Sequence, residues 1–331
     1  MKNHKVFIAK KIPAEVEEYI ASHCEYEIWD KDEKIPQEIL YEKISDADGV
    51  MLSQVRVDGR FFDYAPKLKV VSAISAGYDN FDTKEIIKRG ILATHTPKVL
   101  DDTVADLVMG LVLSTARRIP ELDRYVRKKR WKSNDATTLF GKDVSHAVLG
   151  IVGMGNIGKA VAKRAKFGFD MEVIYHNRKR NAEAERELGA VYVEFEELIA
   201  KSDFVAVMTP INESTRKMFN KGVFEKMKDS AILINASRGE VVDEDDLAEA
   251  LTNGLIAGAG LDVYEKEPIG RNNPLLGIKN VVLLPHIGSA TQSTRSKMAE
   301  IAAESMIKSL NGEACEYLIP ELKNAKLTCE K

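Results

Sequence analysis

The run GIVGMGNIGKA, residues 150–160, constrains this chain more than any other stretch. It places Gly153, Gly155 and Gly158 in GxGxxG spacing, after the buried-type run AVLGIV and before NIGKAVAKRAKFG, a segment of helical character. Where a strand turns into a helix through this pattern, each glycine has its own task. The first permits a tight turn, the second lets backbone approach a pyrophosphate, and the third lets helix and strand pack closely. The amino end of the helix then faces the phosphates. Glycine triplets also serve ordinary turns, and it is the strand before and helix after that make this one a dinucleotide cradle.

The rest of the chain supplies the fold such a cradle needs. Val- and Ile-rich runs (KVFIA, YEIW, DGVML, LKVVSAIS, ILATHT) alternate with charged helix-period segments through the first hundred residues. A second series, HAVLGIVGMG, MEVIYH, DFVAVMTP, SAILINAS, LIAGAGLDV and NVVLLPHI, follows after residue 145. That alternation predicts two parallel β-α-β units. Between them, residues 101–131 (DDTVADLVMGLVLSTARRIPELDRYVRKKRW) read as one long linker helix with an Asp-Asp-Thr cap. Periodicity leaves open whether the final helix, SKMAEIAAESMIKSLNGE, closes the second unit or returns to the first.

With 331 residues, 44% of them hydrophobic, the chain can bury two cores. Its 48 basic and 51 acidic residues leave a formal charge of -3 without long single-sign blocks, so neither nucleic acid nor a membrane surface is an expected partner. The N-terminal apolar run Val6–Ala9 is too short for a signal-peptide core, and a cytoplasmic location is expected. Cys24, Cys315 and Cys329 form no CxxC or Cys/His spacing, which points to inert thiols and no metal site. With no disordered extension expected beyond the final NAKLTCEK, a self-contained enzyme is expected rather than a partner-binding protein.

About twenty residues beyond the glycine turn stands VIYHNRKRN, residues 173–181. An Asp or Glu there accepts from the ribose 2′-hydroxyl of NAD, whereas basic residues accommodate the 2′-phosphate of NADP. Here His176 takes the acid's place and Asn177, Arg178, Lys179 and Arg180 follow, with Arg178 best shaped for a forked phosphate contact. The alternative is a solvated turn before the glutamate-rich AEAERELG.

Three further charged residues follow strand candidates: Arg238 in INASRGEVVD, Glu267 in LDVYEKEP and His286 in LLPHIGSA. Ligands of open α/β sheets gather at the carboxyl ends of strands, so the three can converge. Taken singly each has an ordinary use, as a satisfied histidine, a residue preceding a helix, or a loop charge.

The segments HTPKVLDDTVADL, GIVGMGNIGKAVAKRAKFGF, INASRGEVVDEDDLAEAL, AGAGLDVYEKEP and VVLLPHIGSAT together resemble the D-isomer-specific 2-hydroxyacid dehydrogenases over nearly the whole chain. Within that family the chain looks most like glyoxylate/hydroxypyruvate reductases that also reduce 2-ketogluconate, through FGFDMEVIYHNR and HIGSAT. The resemblance implies two Rossmann-like or flavodoxin-like domains with parallel sheets. The cofactor domain, residues 101–290, is inserted into a substrate domain made of 1–100 and 291–331. It implies a homodimer joined largely through cofactor domains, and NADPH in preference to NADH. Arg238, Glu267 and His286 match the catalytic set. Ala76 and Gly77, in SAISAGYDNFD, match the loop that binds substrate carboxylate with backbone amides. Asn156, Ile157 and Gly158 match pyrophosphate contacts; Asn177, Arg178 and Lys179 the ribose phosphate; Thr209 and Pro210 the adenosine side; Thr103, Ala236, Ser237, Asp262 and Gly288 the nicotinamide surroundings. Asp262 has an equally ordinary use as a strand-end cap. One departure is Gln54 and Arg56, where related sequences carry small residues; Arg56 is either an added anion contact or a surface residue.

The chemistry of that set stands on its own. Hydride addition to the carbonyl carbon of a 2-oxo acid leaves an alkoxide that needs a proton, and a protonated His286 can supply it. Glu267 beside it would orient the ring and favour the imidazolium. Arg238 would hold the carboxylate and polarise the carbonyl. The expected activity is reduction of glyoxylate to glycolate, hydroxypyruvate to D-glycerate and 2-ketogluconate to gluconate. A dinucleotide-sensing protein of corepressor type, or a dehydrogenase acting on another acid such as phosphoglycerate or formate, is the alternative.

Overall fold

A computed structural model describes residues 4–324, which fall into two compact units. The first takes its residues from 1–100 and 290–331, the second is 101–289.

In the first unit, strands and helices alternate: β1 (Lys5–Ile8), α1 (Ala14–His23), β2 (Glu25–Ile28), α2 (Gln37–Ile44), β3 (Gly49–Leu52), α3 (Gly59–Asp63), β4 (Val70–Ala73), α4 (Thr83–Arg89) and β5 (Leu92–Thr94). Every pairing is parallel, in the order β2-β1-β3-β4-β5, because each crossover runs through a helix. All residues of β3 and β4 are buried, which explains why GVML and VVSA read as continuous runs. The end of β3 passes into a left-handed residue, Gln54 (φ 56°). Arg56 lies on the surface with its side chain 84% exposed, ion-paired with Asp58, the N-cap of α3, at 2.9 Å.

The second unit opens with α5 (Asp101–Ala116) and α6 (Ile119–Arg127) and continues β6 (Val148–Val152), α7 (Asn156–Phe169), β7 (Glu172–His176), α8 (Ala182–Leu188), β8 (Val191–Tyr192), α9 (Phe195–Lys201), β9 (Phe204–Val207), α10 (Lys221–Phe224), β10 (Ile232–Asn235), α11 (Glu244–Asn253), β11 (Gly258–Leu261) and β12 (Val281–Leu283). Its sheet is parallel in the order β12-β11-β10-β9-β6-β7-β8. The order reverses between β6 and β9, so a crevice opens beyond the carboxyl ends of those strands.

The segment expected to form one linker helix is two helices of the second unit. Arg118 turns left-handed (φ 55°), and Pro120, lacking an N–H and crowding the preceding turn, starts α6 instead of continuing α5. Helix α5 packs on α7, β10 and β11 through Val104, Ala105, Val108, Leu111 and Val112. Burying each such aliphatic side chain stabilises the unit by about 1.5–3 kcal/mol, which ties α5 to the sheet. Strand β8, only two residues long, escaped sequence reasoning because no alternation can develop over that length.

After the second unit the chain returns to the first. Helix α12 (Gln292–Leu310) packs on β3, β4, β5 and α1, and α13 (Pro320–Asn324) follows. Buried Ser72 locks α12 down: its Oγ donates to the Ala302 carbonyl at 2.8 Å and accepts from Thr94 Oγ1 at 2.8 Å. The segment before α13 runs along β5, with Ile319 N donating to Ala93 O and His95 N to Tyr317 O. Cys24 and Cys315 are free thiols; Cys329, with the end of the tail, lies outside the described residues. No described helix is long and apolar enough to cross a membrane.

Candidate active site

Sterics give the three glycines after β6 three different reasons. Gly153 has φ 109°, and a Cβ there would lie 2.6 Å from the Met208 carbonyl carbon. A Cβ on Gly158 would stand 2.3 Å from the Gly153 oxygen, so α7 can approach β6 only because position 158 is bare. At Gly155, the N-cap of α7, a Cβ would meet nothing within 4 Å. Its bareness serves no packing purpose inside the protein. The first turn of α7 meanwhile leaves the N–H groups of Asn156, Ile157 and Gly158 without intrahelical partners. An open, side-chain-free N-terminus with outward amides fits a pyrophosphate.

The basic loop after β7 divides by task. His176 Nδ1 donates to Val193 O at 3.0 Å while its ring lies against Tyr192 and Phe195, a satisfied structural position. Asn177 has a structural task in the turn. Its Oδ1 accepts from Met154 N at 2.7 Å and its Nδ2 reaches Met154 O at 3.4 Å, so the amide braces the glycine turn. Asn181 adds a second brace, Nδ2 to Met154 O at 2.8 Å. Arg180 forks onto Glu185 at 2.9 and 2.8 Å. Arg178 and Lys179 are exposed and, among the described residues, have no ion pair.

At the ends of β10, β11 and β12 a second constellation assembles. Asn235, 1% exposed, knits the turn after β10: its Oδ1 accepts from Ser237 N (3.1 Å) and Ser237 Oγ (2.9 Å), and its Nδ2 donates to Arg238 O (3.0 Å). A Cβ on Gly239 would lie 1.8 Å from the Tyr264 carbonyl carbon, so this turn sits directly against the backbone that leads to Glu267. Tyr264 in turn donates its hydroxyl to Leu284 O at 2.9 Å, joining the β11 loop to the end of β12.

His286 adopts φ 55°, a left-handed conformation that costs a non-glycine residue energy and recurs at functional sites. Asp262 holds it there. Buried to 1% exposure, its two carboxylate oxygens accept from Ile287 N and Gly288 N, each at 2.8 Å. Burial pushes the Asp262 carboxyl up despite those two amides. The expected nicotinamide contact at Asp262 thus has both oxygens engaged by the turn, the strand-end cap weighed as its ordinary use.

On that turn, His286 Nδ1 lies 2.6 Å from Glu267 Oε2, and Glu267 Oε1 accepts from Tyr264 N at 3.2 Å. Burial alone would raise the Glu267 carboxyl. The hydrogen bond and charge of His286, the Tyr264 amide and the nearby Arg238 guanidinium instead hold it below the usual carboxylate range. The carboxylate is therefore ionised at neutral pH, and the Nδ1 facing it carries a proton, leaving Nε2 as the ring nitrogen that Glu267 does not engage.

The other expected residues occupy these places. Thr103 lies in the first turn of α5, Thr209 and Pro210 follow β9, and Ala236 and Ser237 form the turn that Asn235 knits. Ala76 and Gly77 lie in the loop after β4, in the first unit. Among the described residues no three His, Cys, Asp or Glu side chains are grouped to hold a metal ion. Asn235, Gly239, Tyr264 and Asn181 were missed. An asparagine closing an apolar run before Ala-Ser was the one local signal, that of an Asx-turn.

Known proteins resemble this chain along most of its length. The family model for the D-isomer specific 2-hydroxyacid dehydrogenase NAD binding domain matches residues 109–288. A glyoxylate reductase of Thermococcus kodakarensis is 46% identical over 321 residues, covering 95% of this chain and 96% of its own. A glyoxylate/hydroxypyruvate reductase B of Klebsiella pneumoniae is 47% identical over 283 residues, 85% of this chain and 88% of its own. Among solved structures, an NADPH-dependent glyoxylate/hydroxypyruvate reductase of Sinorhizobium meliloti, in complex with NADP and malonate, superposes with a TM-score of 0.84 at 31% identity, covering 96% of this chain and 97% of that one.

Proposed function

The chain belongs to the D-isomer specific 2-hydroxyacid dehydrogenase family, and from that premise we propose that it reduces glyoxylate and hydroxypyruvate, and 2-ketogluconate as a larger substrate, with NADPH preferred over NADH. The observation that carries the reading is the Glu267–His286 pair at 2.6 Å, held on a left-handed turn at the carboxyl edge of the sheet that bears the glycine cradle. NADPH suits the residues present: the bare N-terminus at Gly155 for its pyrophosphate, and Arg178 and Lys179 for its 2′-phosphate. When bound, the reduced nicotinamide supplies the hydride.

The chain's own residues do the rest. Arg238 binds the substrate carboxylate and polarises the adjacent carbonyl, and its planar fork matches a carboxylate better than an ammonium would. His286 holds a proton at Nε2 and delivers it to the carbonyl oxygen as negative charge develops there. Glu267, ionised and fixed by the Tyr264 amide, orients the imidazole and compensates its charge. Within the first unit, the Ala76 and Gly77 amides are, on this reading, a backbone site for a carboxylate.

Replacing His286 with Gln tests the mechanism. Glyoxylate reduction, followed by loss of nicotinamide absorbance, is expected to fall by roughly 10²–10⁴-fold with the NADPH dissociation constant unchanged. Undiminished turnover would remove His286 from its role. A panel of the three oxo acids against both cofactors then ranks the substrates.

We also propose a homodimer formed through the second unit. Ile119, Val126, Trp131 and Phe140 expose 51%, 53%, 70% and 68% of their surfaces within one short stretch, more apolar surface than isolated residues need. Light scattering should return twice the 36.9 kDa chain mass, and a Trp131→Ser, Phe140→Ser variant should shift toward one chain. A monomeric parent protein would refute this.

A further inference from the structure

The loop after β4 contains no side chain able to bind an anion strongly, so whatever it does must be done by backbone. Three consecutive carbonyls of this loop are tied back into the first unit. Ser75 O accepts from Thr96 N at 2.8 Å, Ala76 O from His95 Nδ1 at 2.8 Å, and Gly77 O from Ser75 Oγ at 2.7 Å. In a trans peptide the C=O of one residue and the N–H of the next point in opposite directions. Tying back the carbonyls of residues 75, 76 and 77 therefore turns the N–H groups of Ala76, Gly77 and Tyr78 to the other side. None of those three amides donates to another described residue. Successive unpaired amides on one side of a loop form an anion-binding concavity.

We propose that His95 is the positioning residue of this loop: by holding the Ala76 carbonyl it fixes the peptide that presents the Gly77 amide to a carboxylate. The inference rests on the reductase reading of the site and adds to it a residue outside the expected catalytic and binding sets. A carbonyl oxygen only accepts, so Nδ1 carries the proton and the tautomer is fixed. Burial keeps the imidazole easier to deprotonate than usual, and it works as a neutral donor.

The histidine is itself held. The Tyr78 ring meets it edge to face, with centroids 5.0 Å apart and an interplanar angle of 79°, and the Tyr78 hydroxyl donates to Glu321 Oε2 at 3.1 Å. Burial, with that carboxylate beside it, pushes the Tyr78 hydroxyl up to about 12, so it stays a donor throughout the physiological range. The backbone N–H of His95 donates to Tyr317 O at 3.0 Å, so the C-terminal segment clamps the residue from both its backbone and its neighbour's ring. The loop's geometry is thus set by residues far from it in sequence.

Steady-state reduction of glyoxylate by the full chain, with oxalate as a non-reducible competitor, tests the proposal. In His95→Ala the glyoxylate KM and the oxalate inhibition constant are expected to rise about fivefold, the effect of one hydrogen bond, while kcat and the NADPH dissociation constant hold. His95→Asn, whose Nδ2–H stands where imidazole Nδ1–H stood, is expected to restore both constants. A general loss of packing would lower kcat and cofactor affinity together and would gain nothing from asparagine, so that pattern overturns the proposal, as do unchanged constants in His95→Ala. If the parent protein reduces no oxo acid, the reductase reading fails, and the positioning role is then judged alone by amide exchange at Thr96, whose N–H rests on the Ser75 carbonyl. Faster exchange in His95→Ala with recovery in His95→Asn supports the role, and equal rates in all three proteins end it.

Discussion

Two turns of this molecule leave successive backbone amides without partners among the described residues, and they reach that state by opposite means. The turn after β6 does it by omission: glycines at 153, 155 and 158 remove side chains, and a helix of fourteen residues, Asn156–Phe169, presents its N-terminus. The loop after β4 does it by restraint, with Thr96, His95 and Ser75 pulling three carbonyls to one side. Omission is a local steric requirement and leaves a pattern in the sequence. Restraint is tertiary, and its agents can stand anywhere in the chain.

The comparison breaks most visibly at the glycines themselves. Gly158→Ala places a Cβ 2.3 Å from a backbone oxygen that cannot move without opening the turn, and is expected to destabilise the second unit by about 3 kcal/mol. Gly155→Ala meets nothing within 4 Å and should cost under about 1 kcal/mol while weakening NADPH binding. Thermal unfolding paired with NADPH titration separates the two. Equal stability losses at both positions would mean that position 155 is bare for packing after all.

This contrast also explains what could be read without coordinates. The cradle, the alternation of strands and helices, and the strand-end positions of Arg238, Glu267 and His286 are written in local pattern and residue type. The long helix over 101–131 was misread because its apolar period runs on through Arg118 and Pro120, and the backbone reversal there leaves no mark on periodicity. The hydrogen-bond partners of Asn177 and Asp262, Met154 and the amides of Ile287 and Gly288, are 23, 25 and 26 positions away and so lie outside any local pattern. His95 carried no signal at all, because a histidine after a short apolar run says nothing about a carbonyl 19 residues earlier.

The basic loop sharpens the same point at smaller magnitude. Arg178 and Arg180 are two residues apart and chemically identical, yet Glu185 grips one of them with two hydrogen bonds and leaves the other exposed. Arg178→Ala is expected to weaken NADPH roughly ten- to hundredfold, the value of a charge-assisted contact, and to leave NADH nearly unchanged. Arg180→Ala should change NADPH affinity far less. Binding of both nucleotides by fluorescence titration checks the pair, and equal losses for NADPH and NADH in Arg178→Ala would show that the loop does not read the phosphate.

The smallest expected effect lies in pH, where omission and restraint also differ. The glycine turn has no titratable group in its own construction, whereas the loop after β4 depends on one. Burial lowers the pKa of His95, with Lys323 lowering it further, against the Ala76 carbonyl and Glu321, which raise it. The unfolded chain, with a histidine pKa of about 6.5, then binds a proton more readily than the folded one. Stability linked to His95 is present in full above about 6.5 and is lost as pH falls through the lower folded value. His95→Asn abolishes that dependence while keeping the donor to Ala76. Denaturant midpoints of the parent and His95→Asn should therefore converge as pH is lowered from neutral, the asparagine variant losing less. Parallel curves over the same range would mean that protonation of His95 is not linked to the loop, and that the restraint comes from Ser75 and Thr96 alone.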